Sequence, residues 1–245
     1  MSSPAAKSLF AGYRFPAEVI SRALWLYFRF PLSLRRVEEM PAARGILVSH
    51  ETLRQWALKS GQEFANRIGR RLPCTGDKRH LDEVAIKIAR VQHWLWRAVD
   101  QAGRVLDVLV QRRRDKHAAK RLLRKSLKWQ CRSPRVIIAD NLASYSAAKR
   151  ELIPAVEHRR HKGLNNRAEN SHQPPTRRRE RQMKRFKSAR QAQRFLPAYD
   201  QISNLFPLRR DHIPARAYRT ARARAFERRH QVKYLNNIVE QAIGA

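Results

Sequence analysis

Three acidic residues stand out from a strongly basic chain: Asp82, Asp140 and Glu169. Asp82 opens the alternating apolar run LDEVAIKI, Asp140 ends the β-branched run RVIIAD, and Glu169 sits in NNRAENSH. Carboxylate oxygens are hard ligands, and three of them brought to one point repel each other without a cation. Mg²⁺ (or Mn²⁺) suits such a set, because it takes few carboxylates and completes its shell with water and phosphate oxygens. Two such ions can activate an attacking hydroxyl and stabilise the leaving oxygen of an in-line displacement at phosphorus. With water as the first attacker and a freed 3′-hydroxyl as the second, one site both nicks and joins strands. Taken singly, each acid has a plainer explanation: an edge-strand charge, a turn at a strand end, a surface helix residue. The combination and its order carry the expectation. Asp77, Asp100, Asp107 and Asp115 are weaker candidates, since Asp100 falls in a tight turn, Asp107 lacks a partner motif and Asp115 sits at a helix cap.

The elements that must position these acids can be read from periodicity. LDEVAIKI (81–88), HWLWRAVD (93–100) and VLDVLVQ (105–111) predict an antiparallel meander of three strands, with the turn DQAG between the second and third. A helix follows from Asp115 through Leu127, then the buried-type strand RVIIAD (135–140), then a helix over 143–152. Three strands, helix, strand, helix is the order of an RNase H-like α/β domain, whose first and fourth strands are neighbours. Asp82 and Asp140 then converge, and a later segment can deliver Glu169. Trp94 and Trp96 alternate with His93 and Leu95, which favours sheet-face packing over base stacking. From residue 176, TRRRERQMKRFKSARQAQRFL predicts a basic helix with Met183, Phe186, Ala189, Ala192 and Phe195 at helical spacing. Residues 209–229 read as a solvated arm or loose helix.

Upstream, residues 16–59 predict helices. Val19, Ile20, Ala23, Leu24, Tyr27 and Phe28 recur at helical spacing until Pro31, and Ser33 caps a helix with Leu34, Val37 and Met40 as its core stripe. Pro41 should shorten or kink that helix. Gly45 supplies a turn, and Ser49 caps SHETLRQWALKS, with Leu53, Trp56 and Ala57 facing inward. Two short helices joined in this way form a helix-turn-helix. The second presents His50, Glu51, Arg54, Gln55 and Lys59 outward, side chains suited to reading a DNA groove. An ordinary helical bundle with a polar face is the alternative.

Lys and Arg number 53 against 20 Asp and Glu, a formal charge of +33 that calls for a polyanionic partner such as nucleic acid. A ribosomal protein would share the charge, but no RNA-binding motif is found. Arg177, Arg178, Arg179, Arg181, Lys184, Arg185 and Lys187 form a basic stretch suited to phosphate contacts. Cys74 and Cys131 are far apart in sequence and suggest neither zinc nor a disulfide framework. No signal peptide or membrane span is evident, so the expectation is a soluble intracellular protein. The expected organisation is a helix-turn-helix domain over 1–62, a basic linker over 63–79, an α/β domain over 80–210 and a basic tail over 211–245.

At these residues the chain resembles the transposases of insertion-sequence family six, within the DDE superfamily. The segments that carry the resemblance include FPAEVI, LSLRRVEEM, ARGILVSHETLRQW, HLDEVAIKI, WLWRAVDQAGRVLDVLV, RDKHAAKRLL, IIADNLASYSAAKREL and EHRRHKGLNNRAEN. RRRERQMKRFKSARQAQRFL extends the match, which runs from about residue 10 to about 210. The resemblance implies a mixed RNase H-like sheet flanked by helices behind an all-α helix-turn-helix domain. It also implies binding of double-stranded DNA at terminal inverted repeats and at a target, and replicative or cointegrate-forming transposition. Carried over by position, the catalytic and metal-holding acids are Asp82, Asp140 and Glu169. A bacterial, nucleoid-associated location and at least a homodimer follow from the same likeness.

Some features depart from the family pattern. Arg79 and His80 stand where a Trp is common, Pro174–Pro175 follows Glu169 closely, and the next basic residue, Arg177, is eight positions beyond it. HQVKYLNNIVEQ (230–241) repeats HKGLNNRAEN at a constant offset of 71, which reads as a fused fragment. A decayed transposase acting only as a DNA-binding protein is therefore the alternative reading.

Overall fold

The three apolar segments expected as strands pair as a meander: β1 (Lys78–Ile88), β2 (Val91–Asp100) and β3 (Val105–Gln111). In the computed structural model, residues 9–30, 32–70, 72, 76–128, 133–140, 142–160, 165, 168, 186–206 and 214–232 are described. The chain divides into two units, Met1–Leu72 with Leu205–Ala245, and Pro73–Asn204.

In the second unit, helix α5 (Lys116–Lys128) leads to β4 (Val136–Ala139), α6 (Ala143–Leu152) and β5 (Glu157–Arg160). The sheet order is β3-β2-β1-β4-β5, antiparallel through β1 and parallel beyond it. This is the mixed RNase H-like sheet flanked by helices. β5 was not expected from the sequence: EHRR is polar and mostly exposed, so it has no apolar period. Its pairing with β4 rests on backbone bonds in parallel register.

Neighbouring residues of a strand point to opposite faces, so each face acquires its own helices. Leu81, Trp96, Leu109, Ile137 and Ala139 pack against Ala119, Leu122 and Leu123 of α5 and Tyr145 and Ala148 of α6. Trp96 is 0% exposed, and the expectation of sheet-face packing holds for it. On the other face lies α7 (Ala189–Ser203), where Asp200 pairs with Arg97 at 3.2 Å; it starts at the cap Ser188, so Phe186 lies outside the helix expected to include it. Side-chain amides of Gln193, Gln201 and Asn204 bond backbone groups of Val105, Leu106, Val108 and Val110 on edge strand β3. An edge that would otherwise be free to recruit another strand is thereby covered.

In the first unit, α1 (Ala17–Arg29) buries Ile20, Ala23, Leu24, Trp25 and Phe28. Helices α2 (Leu34–Ala42) and α3 (His50–Lys59) are capped by Ser33 and Ser49 as expected, the side chains accepting from the N–H groups of Arg36 and Thr52. Gly45 turns the chain between them with φ of 74°, a left-handed value that glycine takes without strain. Pro41 does not break α2, which continues to Ala42; the proline stands in the last turn, where its carbonyl accepts from Arg44 and Ile46. Met40, expected in the core stripe, is 43% exposed, while Val37 is fully buried. Part of the stretch expected as a linker folds as α4 (Gly61–Arg70), because Phe64, Ala65 and Ile68 recur at helical spacing and are buried. Within the stretch expected as a solvated arm or loose helix (209–229), the second alternative holds: Ala215–Gln231 form the regular helix α8, whose Phe226 ring lies edge-on to Trp25 at 5.7 Å.

Candidate active site

The parallel pairing of β1 with β4 ends at Leu81 and Ala139. The next residues of the two strands are Asp82 and Asp140, so the topology itself sets these acids side by side at the carboxyl end of β4. Both are partly exposed, as a site open to substrate requires. Asp140 is held from below, because its Oδ1 accepts the backbone N–H of Leu142 at 3.1 Å.

A third acid joins them that the sequence reading missed. Carboxylate oxygens of Asp82, Glu83 and Asp140 lie within 4.8 Å of one another. Glu83 follows Asp82 directly and so points to the other face of β1, opposite Trp96 in the antiparallel register. Its side chain is 0% exposed. Arg114, from the loop between β3 and α5, donates through Nε to Glu83 Oε1 at 2.9 Å and lies 3.8 Å from Asp140. The same guanidinium sits 4.8 Å from the ring centroid of Trp94, a cation–π arrangement that fixes its plane. Among the described residues, Glu83 Oε2 is buried and receives no hydrogen bond of ordinary geometry. The signal that could have found Glu83 is an acid sharing the face of Leu81, which is fully buried.

Burial raises the pKa of Glu83, the neighbouring Tyr145 hydroxyl and Arg114 lower it, and Asp140 raises it again. Tyr145 is driven well above its ordinary value by burial and then by Glu83, Asp82 and Asp140. Among the described residues the hydroxyl makes no hydrogen bond of ordinary geometry, and it is coupled to the acids by charge and by its close approach to Glu83. Glu83 and Tyr145 thus both sense the negative charge gathered at the strand ends, and among the described residues Arg114 is the cation that opposes it. A divalent cation fits this donor set: two half-exposed aspartates and a buried glutamate oxygen, which receives no hydrogen bond of ordinary geometry among the described residues, are hard ligands.

Glu169 lies outside the described residues, as do Arg177, Arg178, Arg179, Arg181, Lys184, Arg185 and the Pro174–Pro175 pair. Described residues just before Glu169 are nonetheless anchored. Asn165 is fully buried and donates through Nδ2 to the Leu81 carbonyl at 2.9 Å, one residue from Asp82. Ala168 is fully buried and its N–H bonds the Asn165 carbonyl at 2.9 Å. Of the weaker candidates, Asp107 pairs with Lys125 at 2.9 Å. Asp100 receives the Ala102 and Arg104 N–H groups of its turn, and Asp115 caps α5 through Ala118.

On α3, His50, Arg54 and Lys59 are exposed and Gln55 is half-buried. His50 meets Glu38 at 3.1 Å, and Arg54 and Gln55 both bond Glu51, at 2.7 and 2.9 Å. Those two bonds, Arg54's first, lower the pKa of Glu51 to about 2. The polar face of α3 is therefore pre-ordered by its own Glu51 and by Glu38 of α2.

A family model described as a DDE domain matches residues 76–208, more than half of the chain. The transposase for insertion sequence element IS257 in transposon Tn4003 of Staphylococcus aureus is 30% identical over 164 residues, covering 65% of this chain and 73% of the relative. The transposase for insertion sequence-like element IS431mec of S. aureus strain Mu50 matches to the same extent, 30% over 164 residues. The catalytic core domain of BIV integrase is a 13% identical structural neighbour with a TM-score of 0.34, covering 62% of this chain and 99% of that one. Family model and relatives agree with the acids at the sheet end: the chain belongs to the insertion-sequence family six transposases, DDE-type enzymes of the RNase H-like superfamily.

Proposed function

We propose that this chain binds the ends of an insertion element and catalyses metal-dependent cleavage and transfer of DNA strands. The observation that carries the reading is the meeting of Asp82 and Asp140 at the ends of adjacent parallel strands, with the buried Glu83 oxygen behind them. Asp82, Asp140 and Glu169 are the catalytic acids in this reading. The bond from Asn165 to the Leu81 carbonyl supports the third, since it ties the segment leading to Glu169 to the strand that carries Asp82.

One or two magnesium ions held by these acids would supply Lewis-acid stabilisation of charge at phosphorus and its oxygens. The protein's own groups do the rest. The Leu142 N–H fixes the direction of Asp140, and Arg114 restrains Glu83 and keeps the cluster from carrying its full negative charge unopposed. A water, then a freed 3′-hydroxyl, attacks phosphorus in line with the bond that breaks, and the departing oxygen leaves on the opposite side. His50, Arg54, Gln55 and Lys59 of α3 read the element end, exchanging their contacts with Glu38 and Glu51 for contacts with DNA. Arg177, Arg178, Arg179, Arg181, Lys184 and Arg185 supply phosphate contacts that position the strands without reading them. Strand transfer at two element ends requires at least two copies of the chain.

The test is a strand-transfer assay with labelled terminal-repeat DNA and Mg²⁺ or Mn²⁺, run beside Asp140→Asn. Joined products from the wild type and none from the variant are expected. Equal products from both would remove Asp140 from the chemistry, and binding without product from either would leave a DNA-binding protein that no longer cuts.

A further inference from the structure

Within the helical unit is a cavity that the reading above leaves without a role. It has a volume of about 290 Å³, walled by Trp25, Phe30, Phe206 and Phe226 and rimmed by Arg29 and Arg222. That volume lies at the small end of ligand sites, which run from ~300 to ~1,000 Å³. The rings are arranged about the space: Trp25 meets Phe30 at 5.0 Å, and Phe206 meets Phe226 at 5.2 Å. Three guanidiniums stand over them. Arg229 is 4.6 Å from the Trp25 ring centroid, Arg29 is 5.4 Å from that of Phe206, and Arg222 is 5.8 Å from that of Phe226.

Seating α8 on α1 would explain rings that touch, but not an open space between them or the charges around it. No carboxylate lines the cavity among the described residues. Arg22 is near enough to add a fourth positive charge to the field at Arg229. Phe30 remains 38% exposed, although an apolar ring there could have been buried. Flat π-faces, cations fixed above them and a positive rim with no carboxylate among the described lining residues suit a ligand that is planar, aromatic and anionic. A nucleotide meets all three conditions, because any base offers a π-face for stacking and its flanking phosphates meet the arginines.

We propose that this cavity takes one unpaired base of a DNA strand, stacked on the aromatic walls with its flanking phosphates on Arg29 and Arg222. The proposal rests on DNA being the partner and adds a preference for an end whose base is out of its pair. A base in a duplex is stacked on both sides and cannot enter.

The experiment compares binding of a blunt duplex with the same duplex carrying a short overhang that contains 2-aminopurine, whose fluorescence reports stacking. The wild type should bind the overhang more tightly and quench the probe. Phe30→Ala/Arg222→Ala, changed at the exposed rim, should lose roughly tenfold of overhang affinity and most of the quenching while blunt-duplex affinity is kept. Phe30→Trp should keep the preference, which separates stacking from a general loss of fold. Blunt-duplex binding with neither quenching nor overhang preference would overturn the pocket and leave the DNA reading standing. Equal losses on both DNAs in the double variant would also overturn it, reducing the rim to phosphate contact. Failure of the wild type to bind either DNA would sink the DNA reading, and this proposal with it.

Discussion

Replacing Arg114 by methionine probes how the acid cluster is held together while keeping an apolar stem over Trp94. Arg114 contacts Glu83 at 2.9 Å and lies 3.8 Å from Asp140, while the Glu83 side chain is 0% exposed. Opposite charges ~4 Å apart attract by ~4 kcal/mol at an effective dielectric of ~20. Because Arg114 is 38% exposed, solvent screening reduces this to ~2 kcal/mol. Its removal also strands a buried carboxylate beside two others, which costs ~3–5 kcal/mol where both partners are fully buried. Arg114→Met should therefore destabilise the sheet unit by ~2–3 kcal/mol near neutral pH. Glu83→Gln should cost ~1 kcal/mol, since the amide still meets Arg114 but leaves no charge to strand. The double variant should be little worse than Glu83→Gln alone, giving a coupling of ~2 kcal/mol. Urea unfolding of the four proteins measures the cycle, and hydrogen exchange at β1 and β2 amides locates the loss. Additive single effects, with coupling under ~0.5 kcal/mol, would refute the reasoning.

Two further predictions concern the frame around the site. Burial lifts the Asp200 pKa from 3.8 to about 6, with Arg97 pulling it down and Asp107 pushing it up. The folded state then binds that proton more tightly, so the contribution is fully present below about pH 4 and is lost as pH rises through about 6. Stability of the wild type relative to Asp200→Asn should fall by up to ~3 kcal/mol across that window, and parallel pH profiles would show that the carboxyl titrates normally. The β1–β2 turn places Ala89 and Arg90 at φ of 47° and 67°, a left-handed pair that residues with a Cβ occupy at a cost. Ala89→Asn/Arg90→Gly should stabilise by ~1 kcal/mol and raise Tm by several degrees in a thermal melt; an unchanged Tm would mean that the turn is unstrained.

Much of the sheet was legible because its signals are local. The alternation in LDEVAIKI and the β-branched run VLDVLVQ after a turn name strands that the structure confirms, and Ser33 and Ser49 announce the helices they cap. The adjacency of Asp82 and Asp140 needed more, since only the order of elements told that β1 and β4 pair in parallel. What escaped was set by tertiary context. β5 is held by backbone bonds to β4 and so needs no apolar pattern, and Met40 is spaced like a core residue although its side of α2 stays exposed. Gly61–Arg70 was hidden by its basic residues, which obscured Phe64, Ala65 and Ile68. Glu83 was overshadowed by its neighbour: in an apolar alternation next to Asp82 it looked like a surface charge, and only the loop that brings Arg114 across makes its burial tolerable.

The central claim is that acids from separate strands gather to hold a divalent cation, and calorimetric titration of Mn²⁺ into the DNA-free protein tests it most directly. Saturable binding by the wild type, weakened at least ~10-fold in Asp82→Asn and in Asp140→Asn alike, is the predicted result. Wild-type affinity retained in both variants would contradict it, because the cation would then be held somewhere other than the paired ends of β1 and β4.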